Sequence, residues 1–440
     1  MLSLSFFQEL LSGISEQGRK LVFSESGGSD PRSMEELLSP LLTEQGEASG
    51  IALAQEALSR YQHFDDDEKL EFFQLLLRSF GADHDAIAEA LEQYQNAPDD
   101  RSAILLNEAS EPRRQELLRR LNRAPGATAV LVKMRADLLR MIREHRTLEA
   151  VDHDFFHLLS SWFNRGFLVL RRIDWSTPAS ILEKIIRYEA VHAIQSWDDL
   201  RRRIEPVDRR CYAFFHPALV DEPLIFVEVA LTNEAPGAIA PILESERQPI
   251  AQADASTAAF YSISNCQVGL RGISFGNFLI KQVAEDLKRD LPGLESFVTL
   301  SPVPVFRQWL VNEAGNQASD NLSDEERAEI NSLGIDVGPG HQLPAESEGL
   351  LRRLAARYFL KARNSRDSVI DPVARFHLGN GAQLDQIHTG ADLSERGMKQ
   401  SLGLMVNYRY DLERIESNHE AFARDGKVVA SSAVEKLLNK

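Results

Sequence analysis

The spacing of apolar residues changes once along the chain, near Trp162, and that change splits it into two differently built parts. Before it, residues 51–61, 68–80, 85–94, 112–121 and 127–145 place apolar side chains three and four positions apart. That is the period of a helix with one buried face. Gly81 and Asn96-Ala97-Pro98 break the pattern between segments, and β-branched runs are nearly absent. The spacing predicts an all-helical bundle over residues 1–164.

Beyond Trp162 the reading becomes mixed. Candidate strands fall at 166–173, 210–215, 223–231, 258–266, 297–300, 375–378 and 406–412. Thr177-Pro178 reads as a helix start, and 277–289 as an amphipathic helix closed by Pro292-Gly293. An α/β domain over 165–440 is expected, with a polar surface insertion near 316–348. No internal repeat is visible.

Composition removes several classes. The net charge of −17 argues against a general nucleic-acid binder, though a local basic pocket for one anion remains open. Cys211 and Cys266 are the whole cysteine complement, too few for a disulfide framework or a four-cysteine zinc site. Both fall in or beside candidate strands and read as buried thiols in a reducing compartment. No apolar stretch is long enough to span a bilayer, and neither a secretory leader nor a terminal SKL tripeptide is read. A cytoplasmic protein with no membrane partner is the expectation.

Residues 261–287 carry the densest chemical signal. A candidate strand runs into Gly269, Gly272 and Gly276, and an amphipathic helix follows. Closely spaced glycines let backbone N–H groups approach an anion, and the helix start adds its positive dipole end. Arg271 and Lys281 are placed to add charge. A plain strand-to-helix turn is equally consistent with the glycine spacing.

Gly272-Ile273-Ser274-Phe275-Gly276 also fits the GxSxG nucleophile elbow of α/β-hydrolases, for which His377 with Asp371 or Asp392 would complete a triad. His153-Asp154-Phe155-Phe156-His157 is a near match to HExxH, but its apolar flanks favour surface or interface histidines over a metal site. Ser301, before Pro302, and His377, before Gly379-Asn380-Gly381, each close a candidate strand. Neighbouring strand ends would let them form a hydrogen-bonded pair able to polarise a carbonyl and move a proton. Taken singly, each is as well explained as a turn cap or a core histidine.

Six blocks in order resemble the malonyl-CoA decarboxylase family: AVHAIQSWDDLRRRI from Ala190, RRCYAFFHPALVDEPLIFVEVALT from Arg209, YSISNCQVGLRGISFGNFLIKQV from Tyr261, LSPVPVFRQWL from Leu300, DPVARFHLGNGA from Asp371 and GLMVNYRY from Gly403. The resemblance implies a helical N-terminal domain used in oligomerisation, followed by a catalytic domain of the GNAT-type acyltransferase fold. It implies that Arg271, Gly272, Ile273, Ser274, Phe275, Gly276 and Asn277 form the coenzyme A pyrophosphate turn, with Ser274 at a position where some relatives carry glutamate. The catalytic pair it implies is Ser301 and His377, acting on malonyl-CoA to give acetyl-CoA and carbon dioxide with no metal, biotin or pyridoxal. A homo-oligomer, a tetramer built as a dimer of dimers, is implied as well. Open beside this are an acyl-CoA acetyltransferase or thioester hydrolase on the same scaffold, and a non-catalytic coenzyme A-binding regulator.

Overall fold

The computed structural model describes residues 32–43, 46–273, 275, 279–317, 319, 321–333 and 344–439. Its contacts divide the chain into two compact units. One comprises the chain up to Val169 with two later excursions, Phe215–Leu224 and Gln267–Phe275; the other holds Leu170–Phe214, Ile225–Cys266 and Gly276–Lys440.

In the first unit the helices are Glu47–His63, Asp66–Ser79, His84–Asn96, Asp100–Ser110, Arg113–Leu121, Ala127–Met141 and Glu149–Trp162, after a short Met34–Leu38. Their starts are written locally. Asp65 and Glu68 form a reciprocal capping box, and Asp83 and Asp99 cap the next two helices by accepting first-turn N–H groups. The apolar stripes then meet one another. Tyr61, Phe72 and Phe73 pack edge to face, with Tyr61–Phe72 centroids 5.0 Å apart, among buried Leu76, Leu117, Leu131, Leu138 and Leu159. The helix expected to run to residue 145 stops at Met141.

The second unit is built on an eight-stranded mixed sheet: β1 Val169–Ile173, β2 Arg209–Phe215, β3 Pro223–Thr232, β4 Thr257–Asn265, β5 Ser296–Thr299, β6 Ser301–Pro302, β7 Gln383–His388 and β8 Met405–Arg409. The order is β1-β2-β3-β4-β5-β8-β6, with β7 also paired to β8. β4 and β5 are parallel, so a crossover is needed between them, and helix Leu279–Asp290 lies within it. β2, β3 and most of β4 are buried, which accounts for their continuous apolar runs.

One feature of the sheet places the site. β4 and β5 pair only from Thr257↔Ser296 to Phe260↔Thr299. Beyond that point β4 stays with β3, while the chain leaving β5, already paired to β8 at Val298↔Arg409, keeps to β8 as β6, with Ser301 opposite Val406.

The expected strand at 375–378 is instead helix Pro372–Gly379. Asp371 accepts from the N–H groups of Val373 and Ala374, each at 2.9 Å, and Pro372 takes the first helical position. The strand follows the helix, as β7. Within 316–348 the chain forms helix Asp324–Ser332, whereas 334–343 lies outside the described residues. Among the described residues no helix is long and apolar enough to cross a membrane.

Candidate active site

Ser301 and His377 meet although 76 positions separate them: Ser301 Oγ lies 3.1 Å from His377 Nε2. Each arrives by a different element, β6 for Ser301 and the last turn of helix Pro372–Gly379 for His377. Both are buried. On its other side Ser301 donates to Thr299 Oγ1 at 2.8 Å. Tyr410 OH lies 2.8 Å from His377 Nδ1, and Tyr408 stacks on the imidazole with centroids 4.6 Å apart.

One tautomer satisfies all three contacts at once. With Ser301 giving its proton to Thr299, His377 Nε2 carries the N–H that donates to Ser301, and Nδ1 accepts from Tyr410. Thr299 Oγ1 also accepts from Tyr408 N–H at 3.2 Å, and Asn407 Nδ2 donates to Thr299 O at 2.7 Å. Burial pushes the His377 pKa down to about 3, so the imidazole is neutral across the physiological range. Burial likewise raises the Tyr410 phenol well above its ordinary value.

Among the described residues, neither acid of the triad alternative meets His377. His377 Nδ1 faces a phenol rather than a carboxylate. Asp371 caps its helix and accepts from Tyr358 OH at 3.2 Å, while Asp392 accepts from Ser394 N–H at 3.0 Å. Of the predicted pyrophosphate turn, Arg271, Gly272, Ile273 and Phe275 are described; Ser274, Gly276 and Asn277 lie outside the described residues. Gly272 has φ +83°, in the left-handed region that favours glycine. Lys281, expected to add charge, is instead paired with Glu416 and Glu285.

His153 and His157 are exposed, whereas Asp154 between them is buried against Arg114 and accepts from Gln115 Nε2 at 2.6 Å. Among the described residues no group of three or more His, Cys, Asp or Glu is placed to hold a metal ion. Cys211 and Cys266 are buried thiols, and Cys266 Sγ donates to Ser264 O at 3.7 Å.

Thr299, Tyr408 and Tyr410 were not singled out by sequence. A signal existed for the tyrosines, since their spacing of two puts both on one side of an extended segment already read at 406–412.

Residues 166–440 match the malonyl-CoA decarboxylase C-terminal domain, and residues 80–163 match the N-terminal domain of the same family. The chain belongs to the malonyl-CoA decarboxylase family. It is therefore a member of a family of carboxy-lyases. It is 36% identical over 458 residues to the mitochondrial malonyl-CoA decarboxylase of Anser anser anser, covering 93% of this chain and 89% of the relative. The crystal structure of the malonyl-CoA decarboxylase from Rhodopseudomonas palustris is 54% identical, with a TM-score of 0.87 over 92% of this chain and all of that one. The Agrobacterium vitis structure is similar at 54% identity and a TM-score of 0.86, again over 92% of this chain and 100% of that one.

Proposed function

We propose that this chain decarboxylates malonyl-CoA to acetyl-CoA and carbon dioxide, with Ser301 and His377 at the thioester and no metal, biotin or pyridoxal. The observation that carries the reading is the buried Ser301–His377 hydrogen bond at 3.1 Å within a family of decarboxylases. In the reaction the bond between the carboxylate and the α-carbon breaks, and its electron pair passes into the thioester carbonyl as an enolate. Carbon dioxide leaves, and one proton is added at the α-carbon. The thioester is itself the electron sink.

The protein's tasks are orientation, donors for the developing oxyanion, and a proton source. Rotation of the Ser301 hydroxyl away from Thr299 would turn an O–H toward substrate while His377 Nε2–H stays on its oxygen. The substrate carboxylate brings a negative charge to a neutral imidazole held low only by burial. An anion beside it favours the imidazolium, which makes the pair a better proton donor when substrate is bound.

Incubating the purified chain with malonyl-CoA tests the reading. Equal amounts of carbon dioxide and acetyl-CoA are expected. Free coenzyme A with malonate would indicate a thioester hydrolase, and binding without turnover a regulatory protein; either result would overturn the proposal.

A further inference from the structure

The glycine turn is built from the first unit, and one arginine there grips its backbone. Residues Val268–Leu270 form a single 3-10 turn that leads into Arg271 and Gly272. Arg135, on helix Ala127–Met141, is only 2% exposed. Its Nη1 donates to Gly269 O at 2.8 Å and to Arg271 O at 3.0 Å. Its Nε donates to Asp152 Oδ1 at 2.7 Å, and its guanidinium lies 5.4 Å from the Phe156 ring centroid. Asp152 and Phe156 both belong to helix Glu149–Trp162.

The fit allows no slack. A Cβ on Gly269 would sit 1.8 Å from Val132 O, so only glycine lets the turn rest on the helix. Peptide planarity then gives the grip a direction. In a trans peptide the C=O and the following N–H point opposite ways, so drawing Arg271 O onto Arg135 turns the Gly272 N–H away from the helix. That N–H belongs to the segment read as the pyrophosphate turn, where outward N–H groups are what an anion needs.

We propose that Arg135 is a positioning residue for coenzyme A. Held by Asp152 and Phe156, it fixes the Gly269 and Arg271 carbonyls and so turns the Gly272 N–H outward, toward the pyrophosphate, while the N–H groups of Leu270, Arg271 and Ile273 are used within the turn. The inference rests on the decarboxylase reading for its ligand, and on geometry alone for the grip.

The test uses full-length wild type, Arg135→Ala, Arg135→Lys and Asp152→Asn, each checked for folding by circular dichroism. Steady-state kinetics with malonyl-CoA are combined with amide hydrogen exchange at residues 268–273 in the absence of ligand. Loss of charged hydrogen bonds of this kind corresponds to a KM increase of about tenfold or more in Arg135→Ala, with kcat changed far less. Arg135→Lys should be intermediate, because one ammonium cannot reproduce the planar fork. Loop amides should exchange faster in every variant. Should Arg135→Ala not fold, Asp152→Asn decides, with the same direction and a smaller effect. Unchanged KM and unchanged loop exchange in a folded variant would overturn the proposal, as would a fall in kcat at constant KM. A wild type that does not turn over malonyl-CoA would sink the decarboxylase reading alone, since loop exchange would still report on the grip.

Discussion

Tyr410 OH lies 2.8 Å from His377 Nδ1, on the side of the imidazole opposite the Nε2 that faces Ser301. The phenol therefore acts on Ser301 through the imidazole between them. Tyr410→Phe keeps the ring and removes the donor. Turnover should fall roughly tenfold or more while KM for malonyl-CoA stays near wild type. Measured kcat and KM decide this, and a KM effect without a kcat effect would assign Tyr410 to binding instead.

Ser301 and His377 should behave as one unit. His377→Asn is expected to lower kcat by roughly 10²-fold or more, the scale of losing an oxyanion or proton donor. The Ser301→Ala, His377→Ala double variant should lose less than the product of the single losses. Multiplicative losses in the same assay would show that the two act separately.

Ser274 separates the decarboxylase from the hydrolase. Its hydroxyl is replaceable if the turn binds through backbone groups, so Ser274→Ala should keep most of the turnover. A drop of about three orders of magnitude, the signature of a lost nucleophile, would restore the hydrolase reading.

Gly272 should be intolerant of side chains for a conformational reason. Its φ of +83° strains any L-residue, most of all a β-branched one. Gly272→Val should raise KM strongly in a protein whose thermal unfolding remains cooperative. An unchanged KM would remove this turn from the substrate site.

Stability should depend on pH through His377. Its folded pKa of about 3 lies below the ordinary value of 6.5, so between these limits the unfolded chain binds more protons. Stability from this group is full above the upper limit and is lost as pH falls toward the lower one. Urea unfolding at pH 7.5 and 4.5 should show wild type losing on the order of 2 kcal/mol more than His377→Asn. Equal losses would show that His377 titrates normally.

The sequence by itself determined where each kind of structure lies, because helix caps and apolar periods are local. Asp65 with Glu68, and Asp83 and Asp99, start helices by side chains within a few positions of the N–H groups they cap. The runs that became β2, β3 and β4 are long enough to identify as buried strands. Ser301 and His377 were legible as candidates, through motif blocks that resemble one family, and the structure brings the two side chains together. Local reading failed at 375–378, where a short apolar run fits strand or helix alike and the Asp371-Pro372 cap decided for helix. Tertiary structure alone decided which groups meet. The parting of β5 from β4 after Phe260↔Thr299 leaves Ser301 paired to β8 alone, and that places Thr299 and Tyr408 around it. Tyr410 reaches His377 from 33 positions away, and Arg135 reaches Gly269 from 134. Such contacts carry no local period or propensity. They exist because buried donors and acceptors must find partners once the apolar faces have closed, and the partner is whichever group packing brings within about 3 Å.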